Sequence, residues 1–309
     1  MYDLIIIGGG AAALSAATYA LGKRLDILMI YQNLGGKSGW RQNIAGQEAP
    51  EVLPAADAIR SLEQFVSMHA GIAVHDGVAR VSRVGDGYSI ETLHCGSYET
   101  HAVIVATGAA PVRLDVPGSA ELLGQGLGYS VTTHAHLLAG KTSAVIGTST
   151  RALRGAAELS RTAAKVYLII PSRNNMATPM IHALEQRANV EALVGYRVTE
   201  VIGPMNVEEL VISDGTHTRN LPVDAAFVDI GLIPHSEIVR GLVQLDDHGF
   251  IVVDHYNATS APGIFAAGDV TTAFGEHALI AAGDGTRAAL SAYDYLLSRS
   301  PQLVAEGAD

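Results

Sequence analysis

Two stretches of this chain run from an apolar strand through a glycine turn into a helix of small residues, and they differ at one position. The first reads Leu4-Ile5-Ile6-Ile7-Gly8-Gly9-Gly10-Ala11-Ala12-Ala13. It fits the pattern G-x-G-x-x-G/A, in which Gly8 makes the tight turn, Gly10 lets bare backbone approach a diphosphate, and Ala13 allows close packing of helix on strand. The second reads Ala144-Val145-Ile146-Gly147-Thr148-Ser149-Thr150-Arg151-Ala152. It keeps the first glycine and the final alanine, but Ser149 stands where the middle glycine belongs. A side chain there occupies the place where a diphosphate meets backbone, so this site either poses its nucleotide differently or has lost it. Two such units predict an α/β chain with two Rossmann-like three-layer domains.

The chain has room for both. It has 309 residues, 48% of them apolar and 17% charged, enough for two domains of ordinary size. Asp3 leads straight into a core strand with no charged leader, so no secretory signal is expected and the cytoplasm is the expected location. No apolar run approaches the roughly 18 residues of a membrane span. Cys95 is the single cysteine, which excludes an intrachain disulfide or a cysteine-based metal cluster; no metal is expected. A formal net charge of −11 argues against nucleic acid as a partner, since phosphate binding needs a basic footprint.

Read coarsely, the chain is nested. Strand 3–7, helix 10–21 and strand 25–31 open it, followed by a loop carrying Gly35 and Gly36. Helical spacing of Ala58, Leu62, Phe65 and Val66 predicts a helix over 54–70. Alternating segments at 78–84, 87–94 and 97–101 predict a small antiparallel meander, and the apolar run 102–107 predicts a separate buried strand ending at Gly108. A second βαβ unit follows: strand 142–146, helix 150–163, strand 165–170. A helix at 178–187 and strands near 190–202, 207–213 and 225–230 complete it. Strands at 249–253 and 263–269 and a long helix over 276–297 return to the first domain. The expected boundaries are 1–113 with 246–309 for the outer domain and 114–245 for the inserted one.

The order of Gly8-Gly9-Gly10, Ala106-Thr107-Gly108, the weakened Gly147 element and Ala266-Ala267-Gly268-Asp269 resembles the two-dinucleotide-binding flavoproteins. Within them the chain is most similar to the low-molecular-weight thioredoxin reductase family, over 2–297. Gly35-Gly36, the stretch from Asn43 to Gly46, Gly124-Gln125-Gly126 and Ala281-Ala282-Gly283-Asp284-Gly285 support the likeness. The resemblance implies an FAD-binding outer domain. Its contacts are expected at Gly8, Gly10, Ala13, Gly35, Gly36, Asn43, Ala106, Thr107, Gly108, Gly268, Asp269, His277 and Ala278. Asp269 would accept hydrogen bonds from ribityl hydroxyls, and the dipole of the last helix would face the pyrimidine end of the flavin. Where the fingerprint expects an acid on the adenosine ribose, this chain has Tyr31-Gln32-Asn33. The resemblance also implies a homodimer.

The inserted domain departs further. The family carries a C-x-x-C-D motif where this chain reads Ser130-Val131-Thr132-Thr133-His134, and hydroxyls have no two-electron redox couple here. Cys95 lies at a hairpin turn without a resolving partner, as a bystander thiol would. The basic stretch that clasps the 2′-phosphate of NADPH is reduced to Ile170-Pro171-Ser172-Arg173-Asn174-Asn175-Met176. Gly147, Ser149, Arg151 and Arg173 remain as a candidate second nucleotide site. NADH, a differently posed NAD(P)H, a second flavin or an empty site all stay open. Arg151 and Arg154 suit either a phosphate or an exposed helical face. Trp40 and Tyr129 suit either ring stacking or packing.

Of 12 histidines, His134 and His277 are the candidate catalytic residues. By the resemblance His134, with His136, flanks a segment that swings against the flavin, where an imidazole relays protons; the alternative is a pair of solvated loop residues. The expected function is that of an FAD oxidoreductase lacking its own redox disulfide. Its flavin would exchange electrons directly with a redox protein such as a ferredoxin, a small quinone or a disulfide. The alternatives are a flavin-binding sensor or assembly subunit, and a disulfide reductase that borrows cysteines from a partner.

Overall fold

Leu4, Ile5 and Ile6 have no solvent exposure, which is why the first strand reads as an unbroken apolar run and not an alternating one. In the computed structural model, which describes residues 1–46, 54–172 and 179–299, this strand is Tyr2–Ile7. By mutual contact the described residues form two units, one of 1–39, 54–110 and 233–299, the other of 40–46, 111–172 and 179–232.

In unit 1 the sheet runs Ala73–His75, Ile27–Tyr31, Tyr2–Ile7, Ser97–Val105, Gly87–Thr92, Val78–Val84. The expected separate strands at 97–101 and 102–107 are one continuous strand, Ser97–Val105. Its first half pairs antiparallel with Gly87–Thr92, and its second half pairs parallel with Ile264–Ala266. Its other edge pairs parallel with Tyr2–Ile7. The polar Thr100 does not break it, because the Thr100 hydroxyl donates to the Ala102 carbonyl within a fully buried site.

Helices Ala11–Gly22 and Ala278–Ser298 pack on this sheet and on each other. Small residues permit the approach: Ala13, Ala16, Ala17, Ala288, Ala289 and Ala292 are fully buried. A Cβ on Gly285 would collide with the Ala12 carbonyl oxygen and the Ser15 hydroxyl. Ser15 Oγ donates across the pair to the Ala282 carbonyl at 2.7 Å. The last helix begins at 278, not 276, because His277 is its N-cap, with Nδ1 accepting from Leu279 N at 3.2 Å. The strand expected at 249–253 is only a pair of bridges from Ile251, to Leu245 and Thr271. Asp246 takes the His248 and Phe250 N–H groups and curls the chain before it.

Unit 2 has a parallel sheet in the order Val190–Val194, Lys165–Ile170, Thr142–Ile146, Ala225–Val228, Leu127–Gly128. One face is covered by helices Val131–His134, Thr150–Leu159 and Pro179–Glu185, around Phe227, Leu168 and Leu153. The other is covered by the antiparallel strands Arg197–Ile202, Glu209–Ser213 and Thr218–Pro222, which bring Val201, Leu210 and Leu221 onto Ile146 and Ile169. The strand Thr218–Pro222 was not expected, since Leu221 is its single buried residue.

The chain changes unit earlier than the sequence suggested, at 110/111 and 232/233 instead of 113/114 and 245/246. Val239 and Val243 explain the second shift: both join the core built on Ile5, Ile7 and Val103. Residues 40–46 go with unit 2 because Ile44 is buried among Val131, Leu138 and Phe227.

Candidate cofactor site

The first glycine turn sits at the carboxyl ends of the parallel strands of unit 1, where open α/β sheets bind ligands. Gly8 has φ +132, and a Cβ there would strike the Ala106 carbonyl. Gly10 is different. Nothing lies within 4 Å of where its Cβ would stand, so the turn leaves open space in front of bare backbone. Gly10 caps helix Ala11–Gly22 without a side-chain bond, and the first turn of that helix holds no acid. Its N-terminal N–H groups and dipole thus meet no anion from this helix. The 3-10 turn Gly36–Gly39 closes over the same place: Gly36 has φ +57, and its Cβ would come within 3.0 Å of the Gly10 Cα.

Asp269 lies in the 3-10 turn Gly268–Val270 that follows strand Ile264–Ala266. Lys37 Nζ meets its Oδ2 at 2.6 Å, with side-chain exposures of 35% and 14%. Gly268 has φ +74 and packs on Ala12 and Ala281. Asp284, from the last helix, takes the Gly268 N–H and pairs with Arg287 Nη1 at 3.3 Å, which also reaches Asn257 Oδ1. Burial pushes the Asp284 carboxyl above its ordinary range, against the pull of Arg287. The Ala106-Thr107-Gly108 turn is braced within the same unit: Thr107 Oγ1 donates to the His235 carbonyl at 2.7 Å and His235 N to Gly108 O at 2.9 Å.

Gly8, Gly10, Ala13, Gly35, Gly36, Ala106, Thr107, Gly108, Gly268, Asp269, His277 and Ala278 all belong to unit 1. Asn43 belongs to unit 2, where its Nδ2 donates to Gln125 Oε1 at 2.9 Å. At Tyr31, where an acid was missing, the ring tilts against His75 with centroids 5.5 Å apart. Lys37, Asp284 and His235 were not singled out from the sequence. Asp284 alone left a signal there, inside the Ala281 to Gly285 run.

In unit 2 the solvated-loop alternative for His134 is corrected. Its ring is 3% exposed, stacks on Phe227 at 6.1 Å, and Nδ1 bonds the Ser130 carbonyl at 2.8 Å. A proton relay needs a ring that meets substrate or solvent, and this one is packed in a core. His136 is exposed. Trp40 and Tyr129 tilt against each other with centroids 6.3 Å apart. Arg173 lies outside the described residues. Ser149 caps helix Thr150–Leu159, accepting from Ala152 N at 3.0 Å, and Arg151 Nε donates to Asp229 Oδ2 at 2.6 Å. The phosphate reading of Arg151 therefore meets a carboxylate already in place.

The single thiol, Cys95, sits in the hairpin loop before Ser97–Val105. Asp76 takes the backbone N–H groups of Gly77, His94 and Cys95 and the His94 ring. These bonds, the His94 ring first, hold the Asp76 carboxyl far below the usual range. A hydrogen bond to Asp76 in turn pushes the Cys95 thiol up. The thiol is held protonated, as suits a bystander.

An open glycine turn at strand ends, a second turn built on the same plan and an acid beside the first define a dinucleotide-binding protein of the α/β kind with two units. A family model described as pyridine nucleotide-disulphide oxidoreductase matches residues 2–291, and the chain belongs to that family. Its fold is thioredoxin reductase-like, and the family is one of FAD-dependent oxidoreductases. It resembles the thioredoxin reductase from Streptococcus pyogenes MGAS5005, with 27% identity, 96% of this chain and 99% of that one covered, and a TM-score of 0.84. It also resembles the thioredoxin reductase from Giardia duodenalis, with 25% identity, 96% and 98% covered, and a TM-score of 0.82. Alkyl hydroperoxide reductase F of Staphylococcus aureus strain MRSA252, a protein named as one subunit of its enzyme, is 30% identical over 96% of this chain, which spans 59% of that protein's length. The bare backbone at Gly10, the uncapped helix end and the Asp269 carboxylate fit FAD. No helix among the described residues is long and apolar enough to cross a membrane.

Proposed function

We propose that this chain passes electrons between FAD and an external partner without a disulfide of its own. The observation that carries the reading is the contrast between an open cradle at Gly10 and a sulfur-free Ser130 to His134 segment, in a chain whose one thiol is tied to Asp76. In this reading Gly8, Gly10, Gly35 and Gly36 hold the diphosphate by backbone, Asp269 accepts the ribityl hydroxyls, and Asp284 fixes the turn that presents Asp269. His277 caps the last helix with Nδ1, which leaves the proton on Nε2 for the cofactor to meet. Bound FAD supplies the two-electron chemistry; the chain binds, orients and limits access.

A redox protein of the ferredoxin type, a small quinone and a disulfide are the candidate partners. The test is anaerobic photoreduction of the purified flavoprotein, then stopped-flow reoxidation with each class. Saturable reoxidation by one of them is expected. A flavin that neither takes nor returns electrons at useful rates supports a sensor or assembly role instead. The hydroperoxide reductase relatives are by name subunits, which favours a protein partner; one that brings its own cysteines is the disulfide-reductase version of this reading. Turnover that appears only with such a dithiol protein, and a stable complex with it in pull-down, would establish that version.

A further inference from the structure

The two glycine turns are bonded alike. Gly8 N donates to Ile30 O at 2.8 Å, and Gly147 N donates to Ile169 O at 3.0 Å. Ala106 N donates to Ile7 O at 2.8 Å, and Asp229 N donates to Ile146 O at 2.7 Å. A Cβ on Gly8 would strike the Ala106 carbonyl; one on Gly147 would strike that of Asp229. Ala13 and Ala152 are both fully buried under their turns. Ala106 and Asp229 therefore hold the same post at the end of the neighbouring strand, and Gly10 and Ser149 hold the same post at the helix entry.

The side chains at these two posts make the difference. In unit 1 they are a hydrogen and a methyl group, and the turn is open. In unit 2, Ser149 Oγ accepts from Ala152 N and donates to Asp229 Oδ1 at 3.0 Å, while Arg151 Nε donates to Oδ2 at 2.6 Å. Asp229 is 5% exposed. It stands at the entry of a helix, held by a capping hydroxyl and a guanidinium, which is how such a helix end receives phosphate oxygens.

We propose that Asp229 is a built-in anion that fills the diphosphate place of the second turn, so that Asp229 and Ser149 together keep dinucleotides out of unit 2. Resting on the proposed function, this explains why the flavin needs a donor that does not enter through that turn. A diphosphate brought there would have to displace a carboxylate from Arg151 and bury negative charge beside it.

The FAD-loaded protein is titrated with NADH and with NADPH by isothermal calorimetry. Wild type is expected to give no saturable heat. Ser149→Gly with Asp229→Ala is expected to bind at least about tenfold more tightly than wild type, because Arg151 is released to a diphosphate. Asp229→Asn keeps the shape and removes the charge; it should gain less, and it serves if the double variant fails to melt cooperatively. Saturable wild-type binding at micromolar nucleotide overturns the proposal. So does a folded double variant, or a folded Asn variant where the double one is lost, that gains nothing. Failure of the functional reading is seen separately, in the photoreduction and reoxidation assay, because calorimetry reads binding whether or not the flavin turns over.

Discussion

Lys37 and Asp269 lie far apart in sequence, yet the lysine ammonium closes to 2.6 Å on the aspartate carboxylate, joining the Gly36–Gly39 turn to the Gly268–Val270 turn. A partly exposed pair of this kind stabilises the fold by under about 1 kcal/mol. Its larger consequence concerns the cofactor, since Lys37 is one residue from Gly36, which abuts Gly10. Lys37→Met is expected to leave the apoprotein's melting nearly unchanged and to weaken FAD binding by about tenfold, through loss of a charge-assisted contact. Quenching of FAD fluorescence on titrating apoprotein measures this, and Lys37→Arg should recover part of the loss.

Gly10→Ala separates folding from cofactor binding. The protein has space for the methyl group and Gly10 has an ordinary φ of −82, so the gain from a stiffer unfolded chain offsets the cost of alanine at the N-cap, and apoprotein stability should change by less than about 1 kcal/mol. The same methyl group intrudes where a diphosphate meets backbone, so the purified variant should carry much less FAD. Gly36→Ala should lose both, because φ +57 costs a side chain about 1–2 kcal/mol and the new Cβ presses on Gly10. Thermal melts and the flavin absorbance per chain distinguish the two variants.

Gly285→Ala tests the contact between the first and last helices. Its methyl group would run into the Ala12 carbonyl and the Ser15 hydroxyl, and backbone cannot swing aside as a side chain end can. A loss of about 1–3 kcal/mol is expected from overpacking, read as an earlier urea midpoint. Ala282→Gly, one turn away and without that clash, should cost roughly the helix propensity difference of 1 kcal/mol.

Cys95 should alkylate slowly at neutral pH, with a rate that climbs only above the usual thiol range, since Asp76 holds it protonated. Asp76→Asn should bring the rise to lower pH; an unchanged iodoacetamide profile would refute the link. The same carboxyl is depressed in the folded protein, so its stabilisation is present above the ordinary carboxylate pKa and is lost as pH falls through the lower folded value. The Asn variant should therefore be less stable than wild type at neutral pH, with the gap narrowing in acid.

The sequence carried the strands that are buried on both faces, because nothing polar interrupts Ile5 to Ile7 or Val166 to Ile170. It carried the first glycine turn because Gly8 is required by backbone geometry, at φ +132 against the Ala106 carbonyl, and Gly10 completes the local spacing two residues on. It did not carry Ser97–Val105 as one strand, since the change from half-exposed to fully buried surroundings at Thr100 mimics an element boundary. Nor did it carry Lys37 with Asp269, or Arg151 with Asp229. The latter pair is 78 residues apart, and Asp229 reads as the polar end of an apolar strand until the sheet order sets it beside Gly147. Local pattern reports which residues are buried; pairing across a parallel sheet decides what the polar ones meet.

The tight seat of helix Ala278–Ser298 on helix Ala11–Gly22 has a consequence for synthesis. Unit 2 is drawn almost wholly from one uninterrupted stretch, so its layers are all present once the ribosome has passed Leu232. Unit 1 is built from residues on both sides of that stretch: the alanine methyls of its helix Ala11–Gly22 are covered by helix Ala278–Ser298, with Ser15 bonded to Ala282, 267 residues on. The cradle at Gly10, whose neighbouring turn is fixed by Asp284, therefore depends on residues from both flanks of unit 2, whereas the turn at Gly147 draws on none beyond 232.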